Sequence, residues 1–356
     1  FIAFNFQLAA NTFFVSNTGN DSNPGTLSQP WLTWSKAFRS AQAGDTVYFR
    51  GGTYATVGNT GGEGGFNSGT SNNWICFLNY PGETPILDCG NKNLVGATVN
   101  KGISIWNAEY LYFKGLEIKN VYQGNVDVNA VGIELWQTGN MTFEQIVVHH
   151  VAGQAIVLAD FTGTFLFKNC DVYNVCDSLR SAVYPEPGSP GQNGDCFNYS
   201  NRADISGARE SKIIYDGCRA WNYSDNGFAG TSVGYVEHNR CWAFNGGELS
   251  GQGCGFKYAS MYGGERNLLD TARIIKNCIG AINGGYGFST NNSGDSTLNA
   301  FVINNVAYHN GYKGNNQGVE YGFVLNTYAG TIPAESELYA NNVSYDNELG
   351  QIRTYA

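Results

Sequence analysis

The segment Cys218-Arg219-Ala220-Trp221-Asn222-Tyr223-Ser224-Asp225-Asn226-Gly227-Phe228-Ala229 decides the fold, because its parts return along the chain. Its first part reads apolar-x-apolar and reaches Asn four positions after the anchor Cys218. Eight segments share that form: Leu116 to Asn120, Ile146 to His150, Cys170 to Asn174, Cys218 to Asn222, Cys241 to Asn245, Ile279 to Asn283, Val306 to Asn310 and Val343 to Asn347. Seven of the eight end in Asn, and successive anchors lie 23 to 48 residues apart, the spacing of solenoid coils that carry loop insertions. The second part, Gly227-Phe228-Ala229, heads another column. It comprises Gly132-Ile133-Glu134, Ala155-Ile156-Val157, Cys196-Phe197-Asn198, Gly255-Phe256-Lys257, Gly287-Phe288-Ser289 and Gly322-Phe323-Val324. The middle residue is always Ile or Phe and the third varies, which is the alternation of a strand with one buried face.

Each repeat thus supplies a strand, an Asn-bearing turn, a second strand and a return of variable length. Asn tolerates the left-handed backbone and bonds to turn amides, so one structural Asn column is expected. A single coil cannot bury its own face, so the array folds by stacking, and its strands pair in parallel from coil to coil. The fold class is all-β, a parallel β-solenoid forming one domain over residues 1–356. Solenoid ends need covering. Trp31-Leu32-Thr33-Trp34-Ser35-Lys36-Ala37-Phe38 predicts a short N-terminal capping helix within residues 31–42, followed by a turn and strand through Ala43 to Phe49.

Composition agrees. Charged residues make up only 14% of the 356, while Gly, Tyr and Phe number 47, 22 and 21, which suits short strands and tight turns rather than surface helices. The net charge of −9 excludes a nucleic-acid partner, which needs a basic footprint, but leaves room for an acidic polymer held by a local cation. No run is long enough to span a membrane. Phe1 to Ala10 is apolar and ends in Leu-Ala-Ala, readable as a secretory-signal remnant or as an ordinary first strand. The nine cysteines form no CxxC pair and most recur at one place in the repeat, so they are expected to be buried filler with few or no disulfides.

The columns convert sequence into geometry. Asn198, Ala229 and Lys257 fall in one outward-facing column on three consecutive coils. Asp195 and Asn226 stack at the mouth of the same strands, with Asp225 beside them. Two carboxylates and an amide oxygen suit Ca²⁺, which takes six to eight oxygen ligands. A Lys about 5 to 10 Å away by coil spacing, in the field of that cation, is a candidate base. Together these parts suit β-elimination on a uronic acid: a cation on the C6 carboxylate stabilises the enolate-like intermediate while Lys257 removes the C5 proton.

At Asn193-Gly194-Asp195, Cys218 to Phe228, Cys241-Trp242-Ala243-Phe244-Asn245 and Gly255-Phe256-Lys257 the chain resembles the polysaccharide lyases of family 9. The resemblance implies a right-handed parallel β-helix, activity on pectic polymers such as homogalacturonan or rhamnogalacturonan I, calcium as cofactor, Lys257 as base, and Asp195 and Asp225 as metal ligands, with Asn226 at a ligand position. It also implies an acidic polysaccharide as partner and a secreted, periplasmic or cell-surface location; the chain is expected to act as a monomer. The family's Ser-Asp-Asp-Gly-Trp-Asp stands here as Ser224-Asp225-Asn226-Gly227-Phe228-Ala229, so one acid is an amide and another is missing at Ala229. Fewer charged ligands weaken calcium binding.

Asn198, Arg180, Arg202 and Arg266 are candidate substrate contacts, the arginines because a guanidinium binds a carboxylate in bidentate fashion. Trp221 and Trp242 are read as wall packing, with Arg219 stacked near them, ahead of a sugar platform. His149 and His150 are expected to face opposite sides of their strand. Two rival functions remain. A glycoside hydrolase would use Asp195 and Asp225 as paired acids about 5 to 9.5 Å apart. A non-catalytic glycan-binding β-helix would account for the acid lost at Ala229.

Overall fold

The computed structural model describes residues 10–56, 62–90, 99–123, 129–176, 190–202, 204–232, 234–247, 249, 251–260, 272–290, 299–312, 321–326 and 337–355. The apolar stretch read as a signal remnant lies, up to residue 9, outside the described residues. Among the described residues, strands form three parallel sheets of eleven, ten and ten strands, and within each sheet neighbouring strands come from successive coils. The first sheet runs from Thr12–Val15 to Glu337–Ala340, the second from Gly52–Ala55 to Val343–Tyr345, and the third from Glu63–Gly64 to Gly350–Tyr355. This is the expected β-helix.

The Ile/Phe column holds throughout: Ile133, Ile156, Phe197, Phe228, Phe256, Phe288 and Phe323 pair in register in the third sheet. From Phe197 to Phe323 the rings stack inside the coil with centroids 4.7 to 4.9 Å apart and planes within 8° of parallel. A second ring column, Phe113, Phe143, Phe167, Tyr215 and His238, fills the space opposite at 5.0 to 5.1 Å. Glycine precedes the Phe for a steric reason: a Cβ on Gly227 would fall 2.8 Å from the carbonyl oxygen of Gly255 on the next coil.

The helix Trp34–Ser40 lies inside the predicted span, its N-terminus capped by Thr33 Oγ1, which accepts from Lys36 N at 3.1 Å. Trp34 and Phe38 are buried against Phe49 and Phe77 and close the end of the core. All nine cysteines are free thiols, and seven are buried. The thiols of Cys170, Cys218 and Cys241 donate to the carbonyls of Phe143, Phe167 and Tyr215 at 3.3 to 3.4 Å, consistent with a filler role.

The single Asn column is corrected. Asn120, Asn174, Asn222 and Asn245 adopt φ of 52 to 61°, and Asn245 donates to Asn222, which donates to Asn174. Trp242, not Cys241, pairs with Ile279, so the turn position of the last three repeats falls one residue before their Asn. Ile282, His309 and Asp346 continue the left-handed positions, whereas Asn283, Asn310 and Asn347 turn inward and are buried. The histidine reading is also corrected. The left-handed backbone of His150, φ 54°, turns its ring toward His149, and their Nδ1 atoms lie 2.5 Å apart. Trp221 is packed in the wall between Tyr173 and Phe244, and Arg219 pairs with Asp171 at 2.6 Å rather than stacking on an indole.

Candidate functional site

Three consecutive strands of the third sheet, Phe197–Ser200, Asn226–Ser232 and Cys254–Ser260, build the site. Their register sets Asn198, Ala229 and Lys257 side by side, as the columns required, with Phe197, Phe228 and Phe256 inside. At the mouth, Asn226 Nδ2 donates to Asp195 Oδ1 at 2.8 Å, and Asn198 Nδ2 donates to Asp195 Oδ2 at 2.6 Å. Asp225 Oδ1 accepts from the backbone N–H of Gln252 at 2.9 Å. Lys257 Nζ donates to Gln252 Oε1 at 2.6 Å. Close approach of the chain here depends on Gly194, where a Cβ would lie 1.9 Å from Ser224 Oγ.

Asp195 and Asp225 are both buried, at 5% and 9% exposure. Burial pushes each carboxyl above its usual range, and for Asp225 the charge of Asp195 adds to it, while Lys257 pulls in the other direction. The pair is therefore short of positive charge. Asn226 Oδ1 is buried beside them with no hydrogen-bond partner among the described residues. An orphaned amide oxygen next to two carboxylates is the donor set of a hard cation, and its chemistry fits calcium. Among the described residues no group of three or more His, Cys, Asp or Glu is placed to hold a metal; this cluster has two acids, with amides as its other donors.

Asp195, Asn198, Asp225, Asn226, Ala229 and Lys257 all line one open cleft of about 450 Å³. Its rim adds Gln154, Gln192, Ser200, Thr231 and Gln252. Of the arginines, Arg202 is held by Asp160 through two bonds of 3.0 and 3.1 Å and does not line the cleft. Arg180 and Arg266 lie outside the described residues. Sequence reasoning missed Gln154 and Gln252. Gln154 stands two residues before Ile156, so the Asp195–Asn226 column, extended back one coil, reaches it. Gln252 precedes its strand on a non-repeating return and carries no such signal.

The coil repeat matches a known architecture. A family model described as Pel9A-like, right handed beta helix region, matches residues 13–342. The chain belongs to this family. Among relatives of this Pel9A-like chain, pectate lyase L of Dickeya chrysanthemi is 27% identical over 347 residues, covering 93% of this chain and 70% of the relative. Pectate lyase PEL9 of Emericella nidulans is 26% identical over 355 residues, covering 92% and 79%. The solved structure of pectate lyase Pel9A superposes with a TM-score of 0.67 at 21% identity, over 98% of this chain and 80% of that one. A rhamnogalacturonan lyase gives 0.65 at 21% identity, over 96% and 87%. These superpositions show the β-helix fold.

Proposed function

We propose that this protein is a polysaccharide lyase that cleaves a uronate-bearing pectic glycan by β-elimination. The observation that carries the reading is Lys257, in one cleft with two buried, charge-deficient carboxylates. Asp195, Asp225 and the orphaned Oδ1 of Asn226 are the groups that would hold calcium. Bound calcium supplies charge neutralisation at the substrate carboxylate. Lys257 Nζ takes the C5 proton; the electron pair forms the C4–C5 double bond, and the C4–O glycosidic bond breaks with its electrons leaving on oxygen. Gln252 orients the Lys257 amine through a neutral carbonyl. Asn198 and Gln154 present amides to sugar hydroxyls from the cleft wall. Relatives named as pectate lyases support the substrate class. A polymeric substrate also favours a secreted protein, and among the described residues no helix is long and apolar enough to cross a membrane.

The test is incubation with homogalacturonan, rhamnogalacturonan I and other uronate polymers, following the near-ultraviolet absorbance of the unsaturated product, with calcium and with chelator. Lys257→Ala is expected to lose about 10²- to 10⁴-fold in rate. Chelator is expected to abolish turnover. New reducing ends without a double bond would instead select a hydrolase, and no Lys257-dependent product on any uronate polymer sinks the proposal.

A further inference from the structure

The third sheet carries a second chemical feature on the same outward face. Trp106 and Trp136 sit at the ends of the strands Val99–Trp106 and Asn129–Trp136, in register on adjacent coils. Their exposures are 53% and 40%, and their ring centroids are 5.9 Å apart. Two adjacent indoles left in water are costly unless something covers them.

Trp106 is also held in place. Trp106 Nε1 donates to Glu134 Oε2 at 2.6 Å. The same oxygen accepts from Ser104 Oγ at 2.9 Å and from Lys101 Nζ. Lys101 Nζ lies 5.1 Å from the centroid of Trp106. Glu134 itself is buried, so its charge is met by three donors and does not face outward to repel an anionic chain. A fixed indole with its polar edge satisfied offers a preorganised apolar face.

The position of these rings identifies what covers them. The Trp106–Trp136 column continues coil by coil through Ala159, Ser200 and Thr231. Ser200 and Thr231 already line the cleft, and only Ala159 stands between Ser200 and Trp136. All three are small. They leave a low floor from the cleft to the indoles, parallel to the solenoid axis. Trp136 lies four coils from Lys257, about 19 Å along that axis.

We infer that Trp106 and Trp136 form a distal subsite that stacks against a sugar ring of the same glycan chain whose reacting residue lies at Lys257. This rests on reading the cleft as a glycan-cleaving site. A pyranose ring presents a face of C–H bonds, suited to an indole, and one chain lying along the axis covers both places. The subsite acts on chains long enough to reach it and leaves the bond-breaking step alone.

The experiment compares the unsubstituted protein with Trp106→Ala, Trp136→Ala and Trp136→Tyr, on a long uronate polymer and on a trisaccharide too short to span the distance. For the alanine variants, KM on the polymer is expected to rise roughly tenfold with kcat unchanged. Kinetics on the trisaccharide are expected to stay as they were, and Trp136→Tyr restores most of the affinity. Equal effects on both substrates, or none on either, overturn the inference. Binding is read separately by gel retardation in immobilised pectic polymers, using Lys257→Ala as background. If the unsubstituted protein proves inactive, the lyase reading fails on its own. Retardation lost with Trp106→Ala and Trp136→Ala still supports the subsite, and retardation unchanged by them, or absent throughout, overturns it. Thermal melts of every variant confirm that the surface changes leave the fold intact.

Discussion

His238 occupies a ring position in the core column, stacked on Tyr215 at 5.0 Å, yet neither ring nitrogen has a hydrogen-bond partner among the described residues. Burial, with the neighbouring Arg273 charge adding to it, pushes its pKa down to about 3. The unfolded chain takes up a proton near 6.5 and the folded chain does not, so stability present above that pH is lost as pH falls toward 3. The loss is roughly 1.4 kcal/mol for each pH unit across that window. His238→Phe continues the column without a titrating group. Its melting temperature is expected to match or exceed the parent at pH 8 and to exceed it increasingly between pH 6 and 4; parallel curves would refute this account. Individual residues of the cleft were legible to different degrees. Asp195, Asn226 and Lys257 follow from column arithmetic because a strand places every second side chain on one face. Gln252 does not, since a return loop positions it and loops obey no period.

At the scale of strands and turns, two kinds of Asn look alike in sequence and do different work. Asn222 is a left-handed turn residue on the rim of a ladder. Asn310 is fully buried: its Nδ2 donates to Gly280 O at 2.9 Å and to Asn347 Oδ1 at 2.8 Å, and its Oδ1 accepts from Asn283 N at 3.2 Å. Asn222→Gly keeps the backbone angle and is expected to cost less than about 1 kcal/mol. Asn310→Gly leaves several buried groups unpaired and is expected to cost about 3 kcal/mol or more. Denaturant melts of the two variants check this; equal costs would mean that the ladders are equivalent. The repeat itself was readable because apolar alternation survives loop insertions. In the last three repeats an Asn one place along mimics the turn residue, and only strand register separates them.

Over the whole molecule, each coil touches mainly its neighbours, so stability should travel along the axis rather than be shared evenly. The cap tests this. Trp34 is buried at one end against Phe38, Phe49 and Tyr54, far in sequence from Lys257. Trp34→Ala is expected to cost about 3 to 5 kcal/mol and to release hydrogen-exchange protection first in the early coils. Protection in the coils carrying Phe197, Phe228 and Phe256 should fall last. Uniform loss along the chain would instead mark a single all-or-none unit. Those three phenylalanines also have a consequence for how the protein can change. Each lies one residue before Asn198, Ala229 or Lys257, and the hydrogen-bonded spacing of their parallel strands sets the ring separations at 4.7 and 4.9 Å. The cleft is thus a ruler whose graduations are cut in the backbone. Exchanging side chains can alter what each mark recognises, but the distance between marks is set beneath the surface, and a ligand of different repeat length has to bend to the protein.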